Sequence, residues 1–298
     1  MKYLITSASS KLAQKVTHWL KTMTDEVNIR VGLDSLTEKN KYDDLEVEKV
    51  KVDYTNHHSI QDAFKEIDLV IYIPSIDLTL SNRILEFESI LAGAEKANAK
   101  FIFASFFADQ ENNPFLMSPF YAYAERRLAG SGVPYSITKN TMYADPIVDY
   151  IPELIKRKNI IYPVGDQSLS FITLNDSAHA IACLAVQQTM RDKGQSYLLS
   201  MENNYNMIEL AYIISHATET DIGYKPVSVE KFAKIYKNPV MASLYAAGGK
   251  GLLNRTSRDF HKLTGREPER MNHYLRNGYQ IAKLLDYWTE LEHIKKEK

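Results

Sequence analysis

The chain has a single cysteine, Cys183, which excludes an internal disulfide and fits a reducing, cytoplasmic setting. No apolar run approaches the roughly eighteen residues of a membrane span, so no membrane association is expected. The first residues are strand-like rather than a charged stretch followed by an apolar core, and no signal peptide is expected. The eight histidines show neither H-x-x-x-H nor Cys/His ligand spacing, which leaves no case for a metal. The net charge of −1 gives no case for nucleic acid. No fixed-period repeat is present. No glycine occurs before Gly32, an absence that bears on the first turn of the chain.

What is present is an ordinary globular composition, 45% apolar and 24% charged, in 298 residues, enough for one or two domains. Residues 225–298 hold 15 Lys+Arg against 8 Asp+Glu, a basic part that is either a protein-partner surface or solvated helix faces. Met1–Met23 sets the organisation. Lys2–Thr6 reads as a buried strand, Ser7–Ser10 as a polar turn, and Leu12, Val16, Trp19, Leu20 and Met23 recur at helical spacing. A strand, a turn of small residues and a helix begin a dinucleotide-binding domain, in which the helix N-terminus faces a pyrophosphate.

Strands are expected at Val27–Leu33, Val47–Val52, Leu69–Ile73, Phe101–Phe106 and Tyr135–Thr138, with helices at Ser59–Phe64, from Leu80 to Ala94 and at Pro119–Ala129. This alternation gives an α/β fold: a Rossmann-like, doubly wound parallel sheet, with a smaller, mostly helical C-terminal region. The dinucleotide-binding part spans 1–220, with a substrate-side excursion about 142–172, and 221–298 forms a substrate-side helical region. Asp145-Pro146, Ile151-Pro152 and Tyr162-Pro163 mark loops around a short helix. Asp176 is expected to cap a helix Ser177–Gln188, and Asn206 the next one. Gly248-Gly-Lys-Gly251 mimics a phosphate loop, lacks its flanking residues, and reads as a mobile loop beside the pocket. Tyr279–Ile294 reads as a last helix with Ile281, Leu284, Leu285 and Trp288 on one side.

Asp53-Tyr54 ends strand three, and the run Leu128–Tyr135, Gly165-Asp166, Asp176-Ser-Ala178 and the stretch Thr256–Pro268 with its Leu-Thr-Gly-Arg-x-Pro ending follow in order. With these features the chain resembles the NmrA-like branch of the atypical short-chain dehydrogenase/reductases, of the quinone-oxidoreductase and triphenylmethane-reductase type. The resemblance implies a soluble, cytoplasmic NAD(P)(H)-binding oxidoreductase reducing a small planar acceptor such as a quinone. It also allows a non-catalytic sensor of a dinucleotide or other small ligand, which binds a protein through the basic C-terminal part or has lost the cofactor altogether.

The family's T-G-A-T-G-x-x-G turn is Thr6-Ser-Ala-Ser-Ser-Lys-Leu-Ala13 here, so its three glycines become Ser7, Ser10 and Ala13. A side chain forced into a left-handed turn costs about 1–2 kcal/mol. The resemblance places Ser7, Ser9, Ser10, Lys11 and Leu12 at the pyrophosphate, although Ser7–Ser10 also read as plain helix caps. It places Asp34 at the adenosine ribose, Asp53 and Tyr54 at the adenine, and Pro74, Ser75 and Phe106 on the nicotinamide side. Phe107, Tyr121, Met142 and Tyr143 fall at the acceptor site. Asp34 stands where NADPH-preferring members carry an arginine, which favours NAD(H) over NADP(H). The Tyr-x-x-x-Lys pair of the wider class falls on Met117 and Tyr121, so no catalytic residue is assigned; Tyr123 and Arg127 have its spacing but lie too far along the helix.

Overall fold

The structure is a computed structural model that describes residues 1–296, with the side chains of all but Leu36 and residues 286–296. In chain order its elements begin β1 (Tyr3–Ile5), α1 (Lys11–Lys21), β2 (Ile29–Leu33), β3 (Glu48–Lys51), α2 (His57–Ala63), β4 (Leu69–Tyr72), α3 (Leu80–Ala97), β5 (Lys100–Phe106), α4 (Ser118–Ala129) and β6 (Tyr135–Asn140). There follow β7 (Met142–Tyr143), α5 (Asp145–Arg157), β8 (Asn159–Ile160), β9 (Ser168–Ile172), α6 (Leu174–Val186), β10 (Gln195–Leu199), β11 (Asn204–Asn206) and α7 (Met207–Thr218). The last are β12 (Gly223–Tyr224), α8 (Val229–Tyr236), α9 (Pro239–Gly249), α10 (Asp259–Thr264) and α11 (Met271–Lys296).

Seven strands form one parallel sheet in the order β10-β6-β5-β4-β1-β2-β3. This is the Rossmann-like order, with the crevice between β1 and β4 where the strand order reverses. Alternation along each strand divides the core between two faces. Tyr3, Ile5, Leu69, Ile71 and Ile102 pack with α1 and α6, whereas Leu4, Val70, Tyr72, Phe101 and Phe103 pack with α2, α3 and α4. The sheet is therefore covered on both sides, and its central strands β1, β4 and β5 are largely apolar, whereas the edge strand β3, Glu48–Lys51, is mostly charged and partly exposed. Beyond it, β7, β9 and β11 form a second small sheet, and β8 pairs with β12.

Three expectations need correcting. Asp145-Pro146 and Ile151-Pro152 do not mark loops: both lie in α5, with Pro146 in the first turn, where its missing N–H costs nothing, and Pro152 inside. Burial of Ile147, Ile151 and Leu154 holds that helix despite the internal proline. Thr173, not Asp176, caps α6, its hydroxyl accepting from Asp176 N at 3.0 Å. Asp176 is spent elsewhere, on Arg266 Nη2 and on Glu269 N at 2.7 Å. Gly248 to Gly251 are a packed helix end. A Cβ on Gly248 would lie 2.7 Å from Leu169 Cδ2 and one on Gly249 2.9 Å from the Pro163 carbonyl, so the glycines serve close approach. Asn206 caps α7 as expected, in a capping box with Glu209. The last helix starts earlier than expected, at Met271; Ile281, Leu284 and Leu285 on it are exposed, and the Trp288 side chain lies outside the described ones. Among the described residues no helix is long and apolar enough to cross a membrane.

Candidate functional site

The β1–α1 turn is anchored on all sides. Thr6 Oγ1 bridges to β4, donating to Ile73 O at 3.0 Å and accepting from Ile73 N at 2.9 Å. Ala8 N donates to Gly32 O, and the Tyr42 hydroxyl donates to Ala8 O at 2.6 Å. Gln14 Nε2 and Lys41 Nζ both donate to Ser9 O. Ser7, at the first lost glycine, takes the left-handed conformation with φ 48°, so the turn stays tight and carries the strain of a Cβ. Ser10 is extended (φ −75°, ψ 149°) and needs no glycine; its Oγ accepts from Ala13 N at 3.2 Å and caps α1. Ala13 is fully buried against the sheet.

The backbone N–H groups of Ser9, Lys11 and Leu12 make no hydrogen bond among the described residues. They open into the crevice end of α1, where the helix dipole favours an anion. Ser7 Oγ, Ser9 Oγ and the Tyr54 hydroxyl are buried there without a completed hydrogen bond. Burial pushes the Tyr54 phenol up, and the carboxylates of Glu86 and Asp34 push it further. Each has a polar neighbour close by, Ser7 and Asp34 for Tyr54 and Glu38 for Ser9. Asp34 is exposed at the end of β2, with Tyr54 beside it. Asp53 is turned to its own loop, its Oδ1 accepting from Thr55 N and Oγ1.

Strain at Ser7 gives the first prediction. Ser7→Gly removes about 1–2 kcal/mol of left-handed strain against about 0.5–1 kcal/mol of added backbone entropy. A rise in thermal midpoint of up to about two degrees is expected for a chain of this length, with no rise for Ser7→Ala, which keeps the Cβ.

The β4–α3 loop, with Pro74 and Ser75, is held from below by a buried ion pair that the sequence reading missed. Arg83 Nη2 donates to the carbonyls of Ser75 and Asp77, and Glu86 Oε1 accepts from Ser75 N and the Tyr72 hydroxyl, both at 2.9 Å. Arg83 and Glu86 are each 3% exposed, their charges 4.0 Å apart. The signal was available: both sit four residues before an apolar residue of the buried face of α3, Phe87 and Ile90.

Beside the crevice lies a cavity of about 210 Å³. Its wall comprises Phe106 at the end of β5, Met142 and Tyr143 of β7, and Pro146, Ile147 and Tyr150 of α5. Tyr162 and Phe171 add to it, and α8 and α9 close it with Phe232, Tyr236, Met241, Leu244 and Tyr245, Asn238 lying between them. No charged side chain lines it. Tyr162 and Tyr245 stack with ring centroids 4.4 Å apart. Burial pushes the phenols of Tyr143, Tyr162, Tyr236 and Tyr245 up, so they stay protonated. Tyr236 accepts from Arg157 Nη1 at 2.9 Å.

Phe106, Met142 and Tyr143 thus meet at one chamber. Phe107 and Tyr121 are not part of its wall: Phe107 is fully buried edge-on to Phe106, and Tyr121 packs behind the same ring at 5.7 Å. Phe107 lies one residue beyond the end of β5 and packs into the same core as Phe106 rather than into the chamber. The contributions of α8 and α9 were missed, although Phe232/Tyr236 and Met241/Leu244/Tyr245 recur at helical spacing. Met117 is buried, and the Tyr123 hydroxyl is tied to Glu88 on the outer surface. Among the described residues no group of three or more His, Cys, Asp or Glu could hold a metal ion.

The NmrA-like family model matches residues 2–255. The chain is 21% identical over 223 residues to quinone oxidoreductase 2 of Escherichia coli strain K12, covering 72% of this chain and 77% of the relative. A Staphylococcus aureus structure described as a nucleoside-diphosphate-sugar epimerase is 35% identical and covers 93% of this chain and 100% of its own, with a TM-score of 0.86. The triphenylmethane reductase of Citrobacter sp., solved with NADP(H), is similar in fold at 21% identity, with a TM-score of 0.86 over 93% of this chain and 100% of that one.

Proposed function

The chain belongs to the NmrA-like family, and from that premise we propose that it is an NAD(P)H-dependent reductase of small planar acceptors such as quinones. The observation that carries the reading is the uncharged aromatic chamber that includes Phe106 at the carboxyl end of β5, in a fold whose first helix begins with N–H groups that have no partner among the described residues. Both parts suit their ligands. The free N–H groups of Ser9, Lys11 and Leu12 would hold a pyrophosphate, with Ser7 and Ser10 at the same turn. Tyr54, Asp34 and Asp53 would border the adenosine, and Pro74, Ser75 and Phe106 the nicotinamide side. The bound dihydronicotinamide supplies a hydride. The chain keeps water from the reacting centre with its apolar wall and offers protonated phenols as hydrogen-bond donors to an acceptor's oxygens.

The chamber's size limits what fits. At about 210 Å³ it is smaller than the usual drug-sized site of roughly 300–1,000 Å³ and takes one or two fused rings. A sugar diphosphate, suggested by the Staphylococcus aureus neighbour, would find no charged partner on this wall. Similar structures were solved with NADPH or NADP(H); in this chain Asp34 would present a carboxylate to a 2′-phosphate at the ribose edge, which favours NAD(H). Lys41, the nearby cation, is occupied with Glu38 and Ser9 O.

Titration with NADH and NADPH tests this. NADH is expected to bind at micromolar concentration, about tenfold more tightly than NADPH, a difference of about 1.4 kcal/mol. It should be oxidised when 1,4-naphthoquinone is added. Failure of both coenzymes to bind would overturn the reading; binding without oxidation of NADH by any of a panel of quinones would turn it into that of a sensor.

A further inference from the structure

The chamber wall carries several phenols and one amide, that of Asn238. The phenols have no fixed direction of donation, because a hydroxyl hydrogen rotates about its C–O bond. Tyr236 accepts from Arg157, and Tyr162 and Tyr245 lie ring against ring. The amide is different. Its donors and its acceptor hold set positions in one plane, and the backbone beside it decides which way round they sit.

Asn238 stands between α8 and α9. Lys237, before it, is left-handed with φ 49° and ends α8. Pro239, after it, is the first residue of α9 and keeps Asn238 out of the helical region, at φ −136° and ψ 92°. From that position Asn238 Oδ1 accepts from Met241 N at 2.9 Å and caps α9. A backbone N–H can only donate, so the oxygen is the branch of the amide turned to the helix. The nitrogen is the other branch. Asn238 Nδ2 carries two hydrogens and bonds to no described residue. The residue is half-buried and belongs to the chamber wall, whose other side chains are phenolic or apolar.

We propose that Asn238 is a specificity-determining residue, its Nδ2 donating a hydrogen bond to an oxygen on the rim of the planar acceptor. The assignment rests on the reductase reading above and adds to it a feature that the acceptor must carry. The apolar wall gives contact to any flat ring of the right size and discriminates little among them. A ring that bears an oxygen satisfies Nδ2. A bare hydrocarbon covers the amide and leaves it without water or partner, which weakens binding. A site that hydrogen-bonds its substrate rejects analogues lacking that group more strongly than an apolar pocket rejects a misfit. The chamber is thereby suited to quinones and related ring carbonyls rather than to plain arenes.

The test needs no coenzyme. Binding of 1,4-naphthoquinone and of naphthalene to the whole protein is measured at equilibrium. The ligands share their rings and differ in the two oxygens. Naphthalene leaves water more readily, so the ratio of the two affinities is compared between proteins rather than read alone. Asn238→Gly removes the donor at little cost to the helix start, and Asn238→Asp keeps the capping oxygen while replacing the nitrogen. The quinone-to-naphthalene ratio should fall about tenfold from wild type in Asn238→Gly, and at least as far in Asn238→Asp. The infrared carbonyl band of bound naphthoquinone should be lowered in the wild type and not in either variant. An unchanged ratio in Asn238→Gly, or a carbonyl band that is not lowered in the wild type or stays lowered in both variants, overturns the assignment and leaves the reductase reading standing. Naphthoquinone that does not bind the wild type at all overturns both.

Discussion

Lys11→Pro is expected to weaken NADH binding by about ten- to a hundredfold while leaving the thermal midpoint within two degrees or so of wild type. A hydrogen bond to a charged group is worth about 1.5–3 kcal/mol, and the substitution removes one such donor from the crevice. The fold does not need that donor, since the Lys11 N–H has no partner within the protein. Proline suits this first helical position. The residue before it, Ser10, already holds the extended conformation (φ −75°, ψ 149°) that a following proline demands. The ion pair of Lys11 with Asp149, 3.9 Å long between side chains 76% and 69% exposed, adds little to stability. Lys11→Ala, which keeps the N–H, separates the loss of the ammonium from that of the backbone donor and should retain most of the affinity. Unchanged affinity in Lys11→Pro would move the pyrophosphate away from α1.

Arg83→Met should destabilise the protein by about 3–5 kcal/mol, the cost of leaving a buried charge without its partner. For a chain of this length that lowers the midpoint by on the order of ten degrees. The variant deprives Glu86 of its cation and the Ser75 and Asp77 carbonyls of their donor. Burial already pushes the Glu86 carboxyl up. Removal of Arg83 pushes it further, so the folded form binds a proton that the unfolded chain releases. The penalty therefore grows as the pH rises above the ordinary carboxylate range. Arg83→Met combined with Glu86→Gln should recover part of the loss, because the glutamine oxygen still accepts from Tyr72 and Ser75 without a charge. A single variant melting within two degrees of wild type would show that the pair contributes nothing.

The sheet was legible because its central strands carry nearly continuous apolar runs and the helices between them an apolar stripe; Leu69–Tyr72 and Phe101–Phe106 are plain at the level of residue types. Local rules failed where tertiary packing overrode them. Pro152 signals a break, yet α5 continues through it because Ile147, Ile151 and Leu154 are buried on one side. Gly248 and Gly249 signal a loose loop, yet they are the points where α9 touches Leu169 and Pro163. The turn at Ser7–Ser10 was recognisable from its place between strand and helix. The left-handed Ser7 and the extended Ser10 were not, since both are the same residue type. Arg83 and Glu86 went unread because charged residues on a helix are ordinarily solvated. The chamber was half visible: Phe106, Met142 and Tyr143 follow from strand ends, whereas the facing aromatics arrive from residues 232–245 and only the folded chain brings them round.

That last separation has a consequence for the order in which the protein matures on the ribosome. All seven strands of the large sheet have been made once Leu199 is complete, and N-terminal parts of a chain tend to fold first during synthesis. At that moment Phe106, Tyr143 and Phe171 still face open water, for the aromatic residues of α8 and α9 have yet to be translated. A nascent polypeptide stalled at that length owns a finished sheet crevice and an unroofed chamber, an apolar hollow open to water until α8 and α9 are made.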